Sequence, residues 1–181
     1  GYPPDVDPIT SYADLVTLLR RQHDQARSTL PQVLARQGHE RRDLFAHACQ
    51  LLAVHEALEQ LLIRPYAASE ADAAEARDRI AEERQAEDAV TALETLPLDS
   101  DEFEHGYAAF VADVERHAHA EEVLEFPSLP DGELTDLQQR QVRLARELVT
   151  PGAGLLGTRF AEMSRAAHQR LQSPSTTSTE E

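Results

Sequence analysis

Apolar residues recur at steps of three and four over most of the chain, which is the spacing of one face of an α-helix. Proline and glycine cluster near residues 38, 65, 97, 127–132 and 151–157 and divide this pattern into helix-sized segments. The pattern predicts four long helices, at about residues 11–37, 41–63, 69–96 and 100–126. Short connections between long amphipathic helices favour an all-α fold, an antiparallel up-down-up-down four-helix bundle.

The segment after the fourth predicted helix is amphipathic over 133–149 and 155–171 and is broken at 151–154. It predicts an additional broken C-terminal helix that caps or flanks the bundle. Within the bundle, Pro31 predicts a kink in the first helix, Gly38 its end, and Ser69 a cap for the third. The ends of the chain lack the helical period, so we expect a flexible segment at 1–10, one bundle domain at 11–172 and a disordered tail at 173–181.

The composition of the chain favours helices and disfavours several classes of function. The chain has 181 residues, with 7 glycines, no tryptophan and 5% aromatic residues, so strand formers are few. Its formal net charge of -16 disfavours nucleic-acid binding. A single cysteine, Cys49, excludes an internal disulfide and a cysteine-rich metal site. No apolar run reaches the roughly 20 residues of a membrane span, and we expect a cytoplasmic protein without a membrane partner.

Ionisable residues interrupt the apolar face of each predicted long helix near its middle. Isolated buried carboxylates cost several kcal/mol each, so a group of them needs protons, water or bound cations. Spacing of four residues puts two side chains on one helix face, one turn apart. Histidine and carboxylate without thiolate suit iron or manganese more than structural zinc, although zinc stays open. The interrupting residues are His23, His55 with Glu59, Glu83 with Glu87, and His117 with Glu121.

Three segments resemble the hemerythrin/HHE cation-binding family, and the resemblance covers roughly residues 11–130. In two of them a His is followed four residues later by Glu and ten residues later by Pro. The segments are Gln22-His23-Asp24; His55-Glu56-Ala57-Leu58-Glu59 with Pro65; and His117-Ala118-His119-Ala120-Glu121-Glu122 with Phe126-Pro127.

This resemblance implies a non-haem centre of two iron ions, with manganese or zinc as less favoured occupants. It implies the metal ligands His23, His55, Glu59, His117 and Glu121. Glu122 is an alternative to Glu121, because some members of the family use a spacing of five. The helical period favours Glu121, since five steps turn about 140° away from His117 at roughly 100° per residue.

The third predicted helix departs from the family. Ala81-Glu82-Glu83-Arg84-Gln85 resembles its Glu-His-Arg stretch, but Glu83 stands where the family has His. Either Glu83, together with Glu87, supplies the missing ligand, or that ion site is weakened or lost. With Glu59, Glu83, Glu87 and Glu121 ionised, four negative charges would match two ferrous ions and favour their oxidation.

The carboxylate-rich set favours a di-iron oxidoreductase, oxygenase or peroxidase-like enzyme over a reversible oxygen carrier. We expect it to react with dioxygen, peroxide or nitric oxide, with a small organic substrate as a further partner, as a monomer or homodimer. Glu83, Glu87 and Tyr107 are the candidate catalytic residues, Tyr107 because it lies on the core face near His117. Two alternatives stay open: a sensor or store for oxygen, nitric oxide or iron without turnover, and a metal-free helical interaction module.

Overall fold

The structure is a computed structural model that describes residues 8–66 and 70–175. Most of the two predicted terminal segments, at 1–7 and 176–181, and the predicted cap Ser69 lie outside the described residues. In the described ranges the chain forms six α-helices and no β-strand, so the all-α prediction is confirmed. The antiparallel up-down-up-down order of the first four helices stays a prediction.

The helices follow the predicted segments closely. They are α1 (Tyr12–Thr29), α2 (Gly38–Leu62), α3 (Glu70–Glu94), α4 (Asp101–Ala120), α5 (Asp136–Leu148) and α6 (Phe160–Gln172). A 3-10 turn, Leu30–Val33, follows α1, and α4 continues into a π-helical turn, Glu121–Glu125, and a 3-10 turn, Phe126–Ser128. The predicted fourth helix therefore reaches its expected end, but its last two turns are not α-helical.

Side-chain caps fix where α1 and α4 begin. The Ser11 hydroxyl accepts from the Asp14 amide at 3.1 Å, and Asp14 accepts from the Ser11 amide at 3.3 Å, a reciprocal cap. Ser100 accepts from the Phe103 amide at 3.1 Å. Gly38 has a φ of 59° and is the first residue of α2 instead of the end of the first helix, because α1 already ends before the Pro31 turn.

The core consists of two apolar clusters on either side of the polar groups of α2. The first holds Leu15, Leu19 and Leu62 together with residues of α5 and α6, and the second holds an aromatic group, Phe45, Phe103, Tyr107 and Phe110. The C-terminal segment takes a direct part in this core, because α6 packs along α2. Its inner face is fully buried: Phe160, Met163, Ala167 and Leu171.

The start of α1 is tied to the loop that follows the π-helical turn. The Leu134 amide donates to the Thr10 carbonyl at 2.7 Å, and the Tyr12 amide donates to the Gly132 carbonyl at 3.1 Å. Ile9 is buried in the first core cluster. Among the described helices, none combines the length and the apolar character needed to cross a bilayer.

Candidate metal centre

Two overlapping groups of histidine and glutamate side chains lie between the two core clusters. One is His23, His55, Glu59 and Glu121, and the other is Glu59, Glu83 and His117. In each group the candidate donor atoms all lie within 4.8 Å of one another. Four helices and the π-helical turn contribute to the two groups, and Glu59 belongs to both. This arrangement provides donors for two neighbouring cations with one carboxylate in common.

The first group is fully buried and compact. His23 Nε2 lies 3.1 Å from His55 Nε2 and 3.2 Å from Glu121 Oε1, and His55 Nε2 lies 3.0 Å from Glu59 Oε1. Glu59 and Glu121 have no exposed surface, so water from outside does not solvate them. The group therefore needs a proton or a cation among its atoms.

The second group is completed by α3 and α4. His117 is partly buried, and its Nε2 faces Glu121 Oε1 at 3.4 Å. Glu83 is buried, and its Oε2 accepts from the Gln60 amide at 3.0 Å. Glu121 is a member of the first group alone, but its Oε1 is within reach of His117 of the second group as well as of His23.

A second layer of polar side chains orients all three imidazoles. His55 Nδ1 donates to Gln22 Oε1 at 2.7 Å, His117 Nδ1 to Glu82 Oε2 at 2.6 Å, and His23 Nδ1 to Glu122 Oε2 at 3.3 Å. Since each acceptor is an amide or carboxylate oxygen, Nδ1 carries the proton in all three rings. Each Nε2 is then available as a metal donor, which is the arrangement that histidine ligands of metals usually have.

Several donor atoms of the site have no hydrogen-bond partner in the described part of the chain. They are both carboxylate oxygens of Glu59, Oε1 of Glu121 and Nε2 of His117. Buried polar atoms without partners cost about 1–3 kcal/mol each, and here they converge on the same small volume. A cation placed among them would satisfy all of them, so the residues fit a metal site on the chemistry of this donor set.

Arg64 enters the site from the turn after α2. Its Nη2 lies 2.6 Å from Glu83 Oε1 and 2.8 Å from Glu121 Oε2, and its Nη1 contacts Glu125. Burial opposes its charge, but the surrounding carboxylates, Glu59 first, raise the pKa of Arg64 above its usual range. The guanidinium of Arg64 is thus a permanent positive charge among these carboxylates, and it contacts Glu83 of the second group.

The pKa values of the two histidines of the first group shift in opposite directions. Burial, followed by the proximity of His23, lowers the pKa of His55 to about 3, so His55 is neutral. Burial also acts against a charge on His23, but the hydrogen bond to Glu121 and the charges of Glu59 and Glu121 raise its pKa. In the metal-free protein His23 therefore binds a proton more readily than His55.

Two further carboxyl groups near the site hold protons more tightly than usual. Burial raises the pKa of Glu125 to about 7 against the opposing effect of Arg64, and Glu121 and Glu59 add to the rise. Burial, followed by the charges of Glu83 and Glu59, raises the pKa of Glu56 well above 4.5. One guanidinium is shared among several carboxylates here, so they do not all ionise together without further cations.

The remaining residues expected at the site lie apart from both groups. Glu87 lines a smaller cavity of about 310 Å³ between α2 and α3. Glu122 accepts a hydrogen bond from His23 Nδ1 and forms an ion pair with Arg27 at 2.8 Å. Glu121, in contrast, is a member of the first group. The Tyr107 hydroxyl donates to the Leu30 carbonyl at 2.7 Å within the aromatic cluster.

Sequence reasoning missed Arg64 and Glu125. It also missed that Gln22 orients His55 and that Glu122 orients His23. Gln22 precedes a site residue by one position, which is the only local signal for it. Arg64 directly precedes Pro65, and the sequence predicts that a helix ends there. This signal does not indicate where the side chain of Arg64 points.

A cavity of about 610 Å³ opens onto the site between the first four helices. His23, His55, Glu83, His117 and Glu121 all line it. Much of the remaining wall is aliphatic, with Leu30, Leu51, Leu52, Val111 and Val114 among the lining residues. The donor groups are therefore accessible from a large, mainly apolar space.

A helical protein whose buried His and Glu side chains are arranged around a place for cations is the class that this fold and site define. The chain belongs to the family described as the hemerythrin HHE cation binding domain, whose model matches residues 14–129. The predicted resemblance is thereby confirmed. Comparison with curated proteins and with solved structures gave no match.

Proposed function

We propose that this protein holds two iron ions and reacts with dioxygen, or with peroxide or nitric oxide, as a non-haem di-iron oxidoreductase. The observation that carries the proposal is the pair of donor groups that share Glu59. A carboxylate common to two cation sites is the characteristic device of di-iron sites in helical bundles.

The donor chemistry supports iron. The two groups offer three imidazole nitrogens and three carboxylates, and the lone cysteine, Cys49, is buried in the second core cluster. Nitrogen and oxygen donors without thiolate suit iron and manganese more than structural zinc. When bound, two such ions supply electrons to dioxygen or to its reduced forms.

Each residue then has a definite role in the proposal. His23, His55 and His117 present Nε2, held in that orientation by Glu122, Gln22 and Glu82. Glu59 would be a donor in both groups, and Glu121 would be a donor beside His23 and His117. Glu83 replaces the histidine of the family on α3.

Arg64 balances the charge of the site in the metal-free protein. It contacts Glu83 Oε1 and Glu121 Oε2, and it leaves Glu121 Oε1 facing His23 and His117. The contact to Glu125 lies outside both donor groups.

The decisive experiment is metal analysis of aerobically purified protein, combined with its near-ultraviolet and visible absorption before and after reduction and renewed exposure to air. We expect about two irons per chain and a charge-transfer band that bleaches on reduction and returns in air. One iron per chain, or zinc alone, would contradict the di-iron proposal. Full helicity with no bound metal, even after incubation with ferrous iron, would favour a metal-free interaction module.

A further inference from the structure

The cavity beside the metal centre has room for a molecule much larger than dioxygen, peroxide or nitric oxide. Its volume of about 610 Å³ is about twenty times the ~30 Å³ that one water molecule occupies in the liquid. Cavities of about 300–1,000 Å³ are typical of sites for small organic ligands. The size of the cavity therefore indicates an organic molecule in addition to a small oxidant.

The metal donors lie at one end of this cavity. On α1 the lining runs from His23 forward to Leu30, and on α4 it runs from His117 back to Ala108. At a rise of 1.5 Å per residue, these stretches extend about 10 Å and about 13 Å away from the donors. A molecule that fills the cavity therefore extends along the helices, with one end at the donor groups.

The wall beyond the donors is largely aliphatic. Leu30 lines it from α1, Leu51 and Leu52 from α2, and Val111 and Val114 from α4. An aliphatic body fits such a wall, because apolar surface is then removed from water on both the molecule and the protein.

The buried polar atoms of the lining that lack a partner lie at the donor end. In the described part of the chain they are His117 Nε2 and Glu121 Oε1, and both residues belong to the donor groups. Arg27 and Glu115, which also line the cavity, pair with each other at 2.7 Å. The aliphatic part of the wall thus leaves no buried side-chain atom that requires a polar group on a bound molecule.

We propose that this cavity binds an elongated organic molecule with an aliphatic body, which lies along α1 and α4 while one end reaches the donor groups. The inference deepens the proposed function, because it names the class of the organic substrate, and it rests on that function for any reaction of the bound molecule. The binding itself does not require iron.

Three uncharged probes test the aliphatic body: hexan-1-ol, octan-1-ol and triethylene glycol, which is about as long as octan-1-ol but polar throughout. Titration calorimetry on the protein as purified measures their dissociation constants. We expect octan-1-ol to bind about fifteenfold more tightly than hexan-1-ol, since each of the two additional buried methylene groups contributes about fourfold. Triethylene glycol should show no saturable binding at concentrations that saturate the site with octan-1-ol.

Two variants locate the aliphatic chain within the cavity. Ala108→Leu fills the end far from the donors and should lower the ratio of octan-1-ol to hexan-1-ol affinity to about fourfold or less, because the last methylene groups lose their place. Ala86→Leu fills the cavity one turn from Glu83 and should weaken both alcohols. Ala109→Leu on α4 and Ala81→Leu on α3 put the same side chain at exposed positions outside the lining and are the matched controls, which should change neither affinity.

Binding that strengthens with chain length and weakens in Ala86→Leu supports the proposal. Absence of saturable binding by either alcohol, or equal affinities for triethylene glycol and octan-1-ol, overturns it. Equal weakening by the cavity variants and by their controls overturns the assignment to this cavity, and an unchanged affinity ratio in Ala108→Leu overturns the placement of the chain along α4.

Iron content measured on the same samples separates this inference from the proposed function. Alcohol binding by protein with fewer than two irons per chain refutes only the di-iron function. Two irons per chain without alcohol binding refutes only the aliphatic site.

Discussion

Glu83 is the residue at which this chain departs from its family, and its neighbourhood explains how a carboxylate can stand there. Its Oε1 contacts Arg64 and its Oε2 accepts from Gln60, so both oxygens are held toward α2. Glu83 also lies within the second donor group with Glu59 and His117. Arg64 and Gln60 therefore fix both carboxylate oxygens of Glu83 beside Glu59 and His117.

Glu83→Ala should lower the iron content by about one ion per chain, since the second donor group keeps only two members. Metal analysis after dialysis against buffer without chelator measures the loss. Glu87→Ala removes a carboxylate one turn further along α3, outside both groups, and should leave the iron content unchanged. Equal iron in wild type and Glu83→Ala would remove Glu83 from the set of ligands.

Arg64→Met should affect the metal-free and metal-loaded protein in opposite directions. Without Arg64, buried carboxylates lose their counter-charge, and the free energy of unfolding of the metal-free protein should fall by about 3 kcal/mol. The affinity for the second ion should rise, because no guanidinium then competes for Glu83 of the second donor group. Urea unfolding and competitive iron titration measure the two effects.

Arg41→Met is the matched control, because Arg41 is equally buried but donates mainly to backbone carbonyls far from the site, of Arg36 and Leu98 among others. It should lower stability without changing the affinity for iron. An Arg64→Met protein with unchanged or weaker binding of the second ion would show that Arg64 does not compete.

Glu125 predicts a pH dependence of the metal-free protein. Its pKa is about 7 in the folded chain and near 4.5 when unfolded, so between these values the folded state holds a proton that the unfolded state has released. This contribution makes stability fall as pH rises from about 4.5 to 7, by on the order of 1–3 kcal/mol in total.

Urea unfolding of chelator-treated protein at pH 4.5, 6 and 7.5 measures this dependence. Glu125→Gln cannot release the proton, so the difference between wild type and variant should grow across the window in favour of the variant. A difference that is constant with pH would mean that Glu125 ionises normally in the folded protein.

At the scale of elements, a buried side-chain amide on α2 joins this helix to the segment after the family-matched region, in addition to the packing of α6 along α2. Gln50 donates to the carbonyls of Leu148 and Gly154 at 3.0 and 3.1 Å, and its Oε1 accepts from the Leu156 amide at 2.6 Å. These three bonds fix the connection between α5 and α6 to the middle of α2. The same helix carries His55 and Glu59 one and two turns further on.

Gln50→Ala should lower the free energy of unfolding by about 2–4 kcal/mol, because it leaves buried backbone groups unpaired and opens a small cavity. Iron content at saturation should be unchanged, since Gln50 contacts no donor. Gln169→Ala, on the exposed side of α6, is the control and should be neutral within about 0.5 kcal/mol. Loss of iron without loss of stability would contradict this purely structural role.

The helices themselves were predictable because their signals are local. Apolar period and breakers place the helices closely except at the end of α1, which was expected near residue 37 and lies at Thr29. The caps at Ser11 and Ser100 stand at the predicted starts. The end of α4 was not predictable, since a π-helical turn at Glu121–Glu125 has no distinct sequence pattern. The packing of α6 against α2 likewise depends on residues about a hundred positions apart.

The site could be predicted only as far as spacing within one helix determines it. His55 and Glu59 share a face of α2, and their nearest atoms lie 3.0 Å apart. Arg64 and the oxygens that orient the imidazoles come from other helices or from turns. Their positions follow from how the helices meet, and no spacing along a single segment contains that information.

At the scale of the whole molecule, iron should stabilise the protein without being needed for its helices. The two core clusters bury leucine and aromatic side chains independently of the donor groups. Chelator-treated protein should therefore keep its far-ultraviolet circular dichroism at neutral pH. Added ferrous iron at a hundred times its dissociation constant should raise the free energy of unfolding by about 2.7 kcal/mol for each site.

Anaerobic urea unfolding with and without ferrous iron measures this difference, and calcium at the same concentration is the control. Complete loss of helix on chelation would show that the fold depends on its metal. An identical midpoint with iron and with calcium would mean that no specific site exists.

The contacts that close the site also determine when it becomes available during folding. The Arg27–Glu122 and His23–Glu122 contacts join residues 95 and 99 positions apart, whereas α3 and α4 are neighbours joined by a short connection. Loop-closure entropy delays contacts of high sequence separation, so α3 and α4 pair early and α1 docks on the π-helical turn late. The donor set is complete only after that last docking step, because a nascent chain that lacks the π-helical turn does not yet bring Glu121 to His23 and His117.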